Sequence, residues 1–206
     1  MKTIHLKEHK EKAPLRRHPW VFSGAIGEKD RGIDDGEIVS VLDAKGNRLG
    51  CGYYNGRTQI AVRMLSFGEE DVTDNYLRKL IVSAAAKRAG NPLLSGTDSY
   101  RLIFSEGDFL PGLIVDSYGG HMVIQCLTLG MDRLKDTIVK IILEEIKPES
   151  IYERSDHEGR GLEGLGPSAG QLYGETPDEL LIKENGMSLY LLHSRIAARA
   201  RLRESV

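Results

Sequence analysis

Apolar and polar positions alternate with a period of two along "GEIVSVLD", from Gly36, and strand-like runs follow in "RLGCGYYN" and "TQIAVRML". Such a pattern predicts strands that turn one face to a core. "AKGN" supplies the turn between the first two. Gly50, Gly52 and Gly56 interrupt the strands, as expected where a small barrel bends sharply or another backbone comes close. Residues 1–70 therefore read as a compact β-pseudo-barrel, with "SFGEEDV" as its exit loop.

The period then changes. In "DNYLRKLIVSAAAKRAG", Leu77, Leu80, Ile81 and Ala84 recur at helical spacing, with Asp71 or Thr73 as the cap and Gly90-Asn91-Pro92 as the stop. "YRLIFSE", "LIVDSYG" and "HMVIQCLTL" predict strands. "MDRLKDTIVKIILEEIK" predicts a helix with Leu134, Ile138, Ile141 and Ile142 on one face, ended by Pro148, and "SIYERS" is one more strand. "LLIKENGMSLYLL" has the form of a hairpin around Glu-Asn-Gly. The expected fold class is α+β: the barrel over 1–70, a small α+β unit over 71–187, and an atypical tail over 188–206.

Composition narrows the possible roles. A chain of 206 residues with 40% hydrophobic content can build two modest cores. The formal net charge is −2, so attraction to nucleic acid has to come from a local patch. Cys51 and Cys126 each lie in an apolar run, which fits buried thiols in a reducing compartment better than a disulfide framework or a zinc site. The N-terminus lacks the apolar segment of a secretory signal, and no apolar run approaches the roughly 20 residues that span a bilayer. A cytoplasmic protein without a membrane partner is expected.

Cationic chemistry concentrates in "LRRHPWVF". Arg16 and Arg17 suit phosphates, and guanidinium and indole groups stack on exposed bases. Pro19 fixes the backbone, so that Trp20 anchors the barrel while Arg16, Arg17 and His18 face outward. In "GCGYYNGRTQ", Tyr53 and Tyr54 point to opposite faces of one strand, so one is expected buried and one exposed. Tyr53, with Arg57, is assigned to the RNA side. Glu106, Asp108 and Asp116 lie in a turn-rich stretch with no second ligand cluster, which argues against metal. Asp156–His157 invites a catalytic reading, but no nucleophile supports it. Salt bridges among Arg154, Asp156, Arg160 and Glu163, bracing this unit against a neighbour, are more economical.

In order, "RRHPWVFSGAI", "GEIVSVLDAKGNRLGCGYYN", "RLIFSEGDFLPGLIVDSYGGHMVIQCLTLGM", "IYERSD", "LEGL" and "LYGETPDELLIKENGM" resemble the N-terminal portion of the S-adenosylmethionine-dependent ribosomal RNA large-subunit cytosine-C5 methyltransferases. The resemblance covers roughly Leu15 to Met187. It implies an N-terminal PUA domain that binds RNA, with Arg16, Arg17, His18 and Trp20 in its characteristic first segment. It also implies a central α+β domain, often called EEHEAD, and a ribosomal RNA partner. Beyond Met187 the likeness fades, and "HSRIAARARLRESV" has the composition of an out-of-frame read-through. A full relative carries one further, Rossmann-like domain. The resemblance therefore implies a docking portion that has no catalytic residues, binds no S-adenosylmethionine itself and is inactive alone. The alternative is an interaction module that self-associates as a homodimer through an apolar face.

Overall fold

The computed structural model describes residues 1–192, without the side chain of Leu192. The N-terminal unit is one curled six-stranded sheet. Its strands are β1 (Thr3–Leu6), β2 (Trp20–Phe22), β3 (Ile26–Lys29), β4 (Ile38–Leu42), β5 (Arg48–Tyr54) and β6 (Ile60–Phe67). They lie in the order β2-β6-β5-β4-β1-β3; β1 runs parallel to β4 and all other pairs are antiparallel. Ile4, Val21, Val39, Val41, Val62 and Met64 fill the interior. The alternating runs correspond to β4, β5 and β6. β1, β2 and β3 are only 3 or 4 residues long, too short for a periodic signal to accumulate. A one-turn helix, α1 (Lys12–Leu15), leads from β1 to the cationic segment.

Gly52 shows why glycine interrupts this barrel. A Cβ there would fall well inside contact distance of the Arg63 carbonyl on β6, so the two strands approach closely only because the side chain is absent.

The second unit begins with α2 (Asp74–Ala89), capped by Thr73, whose hydroxyl accepts from the Tyr76 amide. A five-stranded sheet follows: β7 (Ser99–Phe104), β8 (Leu113–Tyr118), β9 (His121–Cys126), β10 (Ser150–Ser155) and β11 (Ser168–Tyr173), in the order β11-β10-β9-β8-β7. β9 and β10 are parallel, joined by the crossover helix α3 (Leu129–Glu145). Both helices bury their apolar faces against the sheet: Leu77, Ile81 and Ala84 from α2, and Ile138, Ile141 and Ile142 from α3. β11 is the one strand of this sheet that the sequence pattern does not predict, and it is an edge strand. None of its residues is buried, so no apolar alternation marks it.

The hairpin is β12 (Glu179–Glu184) and β13 (Met187–Leu192), turning through Asn185 (φ 51°) and Gly186 (φ 79°), the left-handed pair that a two-residue turn requires. Leu180 and Ile182 pack on Val123, whereas Met122 and Ile124 face the helices, so the hairpin covers the opposite side of the sheet. The segment expected to be tail from residue 188 is strand as far as Leu192. His193–Val206, the rest of that expectation, lie outside the described residues.

Candidate nucleic-acid face and interdomain cleft

The cationic segment lies on the seam between the two units. Arg16 ends α1, and Arg17 takes a left-handed turn (φ 61°) that swings the chain toward β2. Arg16, Arg17 and His18 are exposed. The Arg17 guanidinium sits 5.4 Å from the ring centre of Phe67 on the barrel and 5.2 Å from that of Phe109 on the second unit, cation–π contacts that tie the two together. His18 Nδ1 accepts from the Trp20 amide at 3.2 Å, and its ring stands edge-on to the indole at 5.6 Å.

Trp20, expected to anchor the barrel, lies outside the barrel core and reaches the second unit instead. It is half-buried, and its indole N–H donates to Glu106 Oε1 of the second unit at 2.9 Å. Glu106 also accepts from Ser105 Oγ at 2.5 Å, and Ser105 Oγ accepts from the Gly112 amide at 2.8 Å. Burial opposes the charge on Glu106, but the Ser105 and Trp20 hydrogen bonds outweigh it and hold the carboxyl below its ordinary range.

Tyr53, expected on the RNA side, is fully buried and cannot reach a ligand in this structure. β5 stands between two cores: Tyr54 points into the barrel, and Tyr53 into the core of the second unit, with Leu65 of β6 beside it. Both tyrosines are therefore buried, where one exposed face was expected. The Tyr53 hydroxyl donates to the Pro111 carbonyl at 2.7 Å and shares a hydrogen bond with Thr128 Oγ1 at 2.8 Å. Its ring lies against Gly130, where any Cβ would collide with it. Arg57 is exposed as expected, with its Nε 3.2 Å from Asp35 Oδ2.

Glu163 does brace the two units, though its partners differ from those the local sequence suggests. Its carboxylate takes Arg63 Nη2 of β6 at 2.8 Å and Asn55 Nδ2 at 2.7 Å. It also faces the Leu129 amide at the start of α3, at 3.4 Å, where the Thr128 hydroxyl is occupied by Tyr53 and makes no cap bond. Arg160 instead binds Asp132 and the Cys126 carbonyl, and Arg154 lies 3.9 Å from Asp156. His157 Nδ1 accepts from the Gly159 amide and starts a 3-10 turn, Glu158–Glu163. The pair Asp156–His157 thus ends in a turn cap.

These braces hold open a cleft of about 670 Å³ between barrel and second unit. Trp20, Phe22, Arg57, Gln59 and Arg63 line it from the barrel, and Glu106, Thr128, His157, Leu162 and Glu163 from the second unit. Of these, the sequence assigns only Trp20 and Arg57 to the RNA side; it gives Glu106, His157 and Glu163 other roles, and Phe22, Gln59 and Leu162 none.

Asp108, Asp116 and Glu153 are held in ion pairs. Asp108 is gripped by both Arg88 terminal nitrogens, at 2.7 and 2.6 Å, and by the Phe104 amide, while Asp116 pairs with Arg101. Glu153 receives Lys135 at 2.9 Å. Burial raises the pKa of Asp108 and Glu153, but these partners overcome it and depress both. A depressed folded pKa contributes stability that is present above the unfolded value, near 4, and lost as pH falls through the folded one. The melting temperature is therefore expected to hold from pH 7 to about 5 and to fall steeply below about 4. Replacing Asp108 with Asn should flatten that fall.

This architecture defines a class before it suggests a protein. Residues 4–67 match the PUA-like domain family, so the N-terminal unit is a PUA-like domain followed by an α+β unit. The chain is 37% identical over 189 residues to "Ribosomal RNA large subunit methyltransferase I" of Alteromonas mediterranea, covering 90% of this chain and 47% of that protein. It is 38% identical over 188 residues to the protein of the same name from Shewanella amazonensis, covering 90% and 48%. The chain thus spans about half the length of the curated relatives it matches. Among solved structures, a Streptococcus mutans protein assigned as a SAM-dependent methyltransferase superposes with a TM-score of 0.74 at 23% identity, over 93% of this chain and 48% of that one. A structure described as a methyltransferase complexed with SAH gives the same values. Among the described residues no helix is long and apolar enough to cross a membrane.

Proposed function

We propose that this chain is the RNA-docking portion of an S-adenosylmethionine-dependent ribosomal RNA methyltransferase that acts on cytosine C5. The observation that carries the reading is the exposed Arg16–His18 segment on a PUA-like barrel, locked to the second unit by Arg17, Trp20 and Tyr53. A docking module must hold its RNA at a fixed place relative to whatever modifies it, and these braces supply that fixity. Methyl transfer to C5 requires a thiolate to add at C6. Burial pushes the Cys126 thiol up to about 12, and Cys51 is fully buried. Neither cysteine is therefore placed to serve as that nucleophile.

Binding to a ribosomal RNA fragment should weaken as salt rises, because contacts to phosphate release counterions. Arg16→Ala should reduce the slope of log K against log salt by about 0.7–0.9 and leave the melting temperature unchanged. Arg17→Ala should lower both, since it also removes the contacts to Phe67 and Phe109. A salt slope for Arg16→Ala equal to the parent's would remove that residue from the interface.

Self-association is the second reading, and the hairpin favours it: Leu181, Met187 and Tyr190 are more than half exposed. Sedimentation over a hundredfold range of concentration should then show a dimer, which Tyr190→Ser abolishes.

A further inference from the structure

Phosphate contacts along Arg16–His18 would position RNA, but they leave the adjoining cleft unexplained. Its barrel wall is aromatic. Phe22 is 49% exposed, and its ring stands edge-on to the Trp20 indole at 6.4 Å. The indole is not free to rotate away, because Glu106 holds its N–H. Across the cleft, Leu162 projects from the 3-10 turn with 75% of its surface exposed, although the next residue, Glu163, is pinned in the interface. Burial or packing does not account for an exposed leucine and phenylalanine lining opposite walls of one cleft. Gln59, with a donor and an acceptor, and the exposed Arg57 also line it.

This set suits one kind of ligand. An unstacked nucleobase has two apolar faces and a hydrogen-bonding edge, and proteins hold such bases between aromatic or aliphatic side chains while polar groups meet the edge. The cations flank the cleft rather than fill it. In the depth Arg63 is paired with Glu163, and the Glu106 carboxylate is taken up by the Trp20 and Ser105 hydrogen bonds, so no free cation there invites a phosphate; the depth suits a neutral base and the exposed cations beside it suit its phosphates. His18 packs on Trp20 and so connects the cationic segment to the cleft mouth.

We propose that the cleft receives a single unstacked base of the bound RNA, stacked on the exposed Phe22 ring of the barrel with the perpendicular Trp20 indole against its edge, and covered by Leu162 of the second unit. This rests on the RNA-docking reading and adds a place where the chain grips a base as well as backbone. The site is preformed, because the contacts that shape it are buried hydrogen bonds and an ion pair and not ligand-induced.

Trp20 is the only tryptophan in the chain, so its fluorescence reports on this wall alone. The experiment titrates the intact chain with a single-stranded oligoribonucleotide and with an abasic oligonucleotide of equal length. The expected result is quenching by the RNA and none by the abasic strand, although both bind in a salt-sensitive manner by anisotropy. Phe22→Ala should weaken RNA binding roughly tenfold, the effect of losing a base-stacking contact, and Leu162→Ala roughly fivefold or more through lost apolar cover, with little change for the abasic strand. Leu162 is so exposed that its variant keeps the parent's melting temperature, which protects the test if Phe22→Ala folds poorly. If RNA binds with unchanged fluorescence, and Leu162→Ala binds like the parent, the cleft assignment fails while the docking reading stands. If neither strand binds, both fail.

Discussion

Glu163→Ala is expected to lower stability by roughly 3–5 kcal/mol, because it leaves the Arg63 guanidinium buried without its counter-charge. The magnitude follows from burial: the side chains of Glu163 and Arg63 keep only 4% and 12% of their exposure, so solvent cannot take over the role of the lost partner. Asn55 Nδ2 and the first amide of α3 lose an acceptor at the same time. Glu163→Gln separates these contributions. It keeps an oxygen for Asn55 and removes the charge, so it should fall between the parent and Glu163→Ala. Urea unfolding with an unchanged m-value checks both; a loss below about 1 kcal/mol for Glu163→Ala would show that the interface relaxes around the gap.

A comparable loss is expected at Tyr53. Tyr53→Ala removes a ring from the middle of the second core and should cost roughly 3–5 kcal/mol. Tyr53→Phe keeps the ring and leaves the Pro111 carbonyl and Thr128 hydroxyl short of a partner, a cost of about 1–3 kcal/mol. Although Tyr53 lies in the N-terminal barrel, both variants should destabilise α3 as much as the barrel. Hydrogen exchange on Leu129–Glu145 measures this: protection retained there while the barrel opens would mean that the two cores unfold separately.

Periodic elements were legible in the sequence, and pairwise ones were not. Both long helices, the strands β4 to β10 and the Asn185-Gly186 hairpin announce themselves by period or by turn chemistry. β11 does not, because an edge strand that buries nothing has no reason to alternate. The exposed cations Arg16, Arg17, His18 and Arg57 follow from residue type. The fate of Tyr53 does not follow from its strand, since alternation says that Tyr53 and Tyr54 face opposite ways without saying that both directions lead to a core. Trp20 and Glu106 stand 86 positions apart and Asn55 and Glu163 108 apart. Nothing near either member of these pairs in the sequence indicates the other. The cleft is made of such long-range partners, so it became visible only once the chain was folded.

The position of β5 between two cores limits how this barrel could be reused. PUA-like units invite treatment as cassettes that can be cut out and fused to a new carrier. Residues 1–70 moved on their own would carry Tyr53 and Leu65 to the surface as an apolar scar, with the Arg63 charge beside it and no Glu163 to meet it. A working transplant has to take Pro111, Thr128–Gly130 and Glu163 along, which means most of the second unit. The natural unit of exchange in this architecture is the pair.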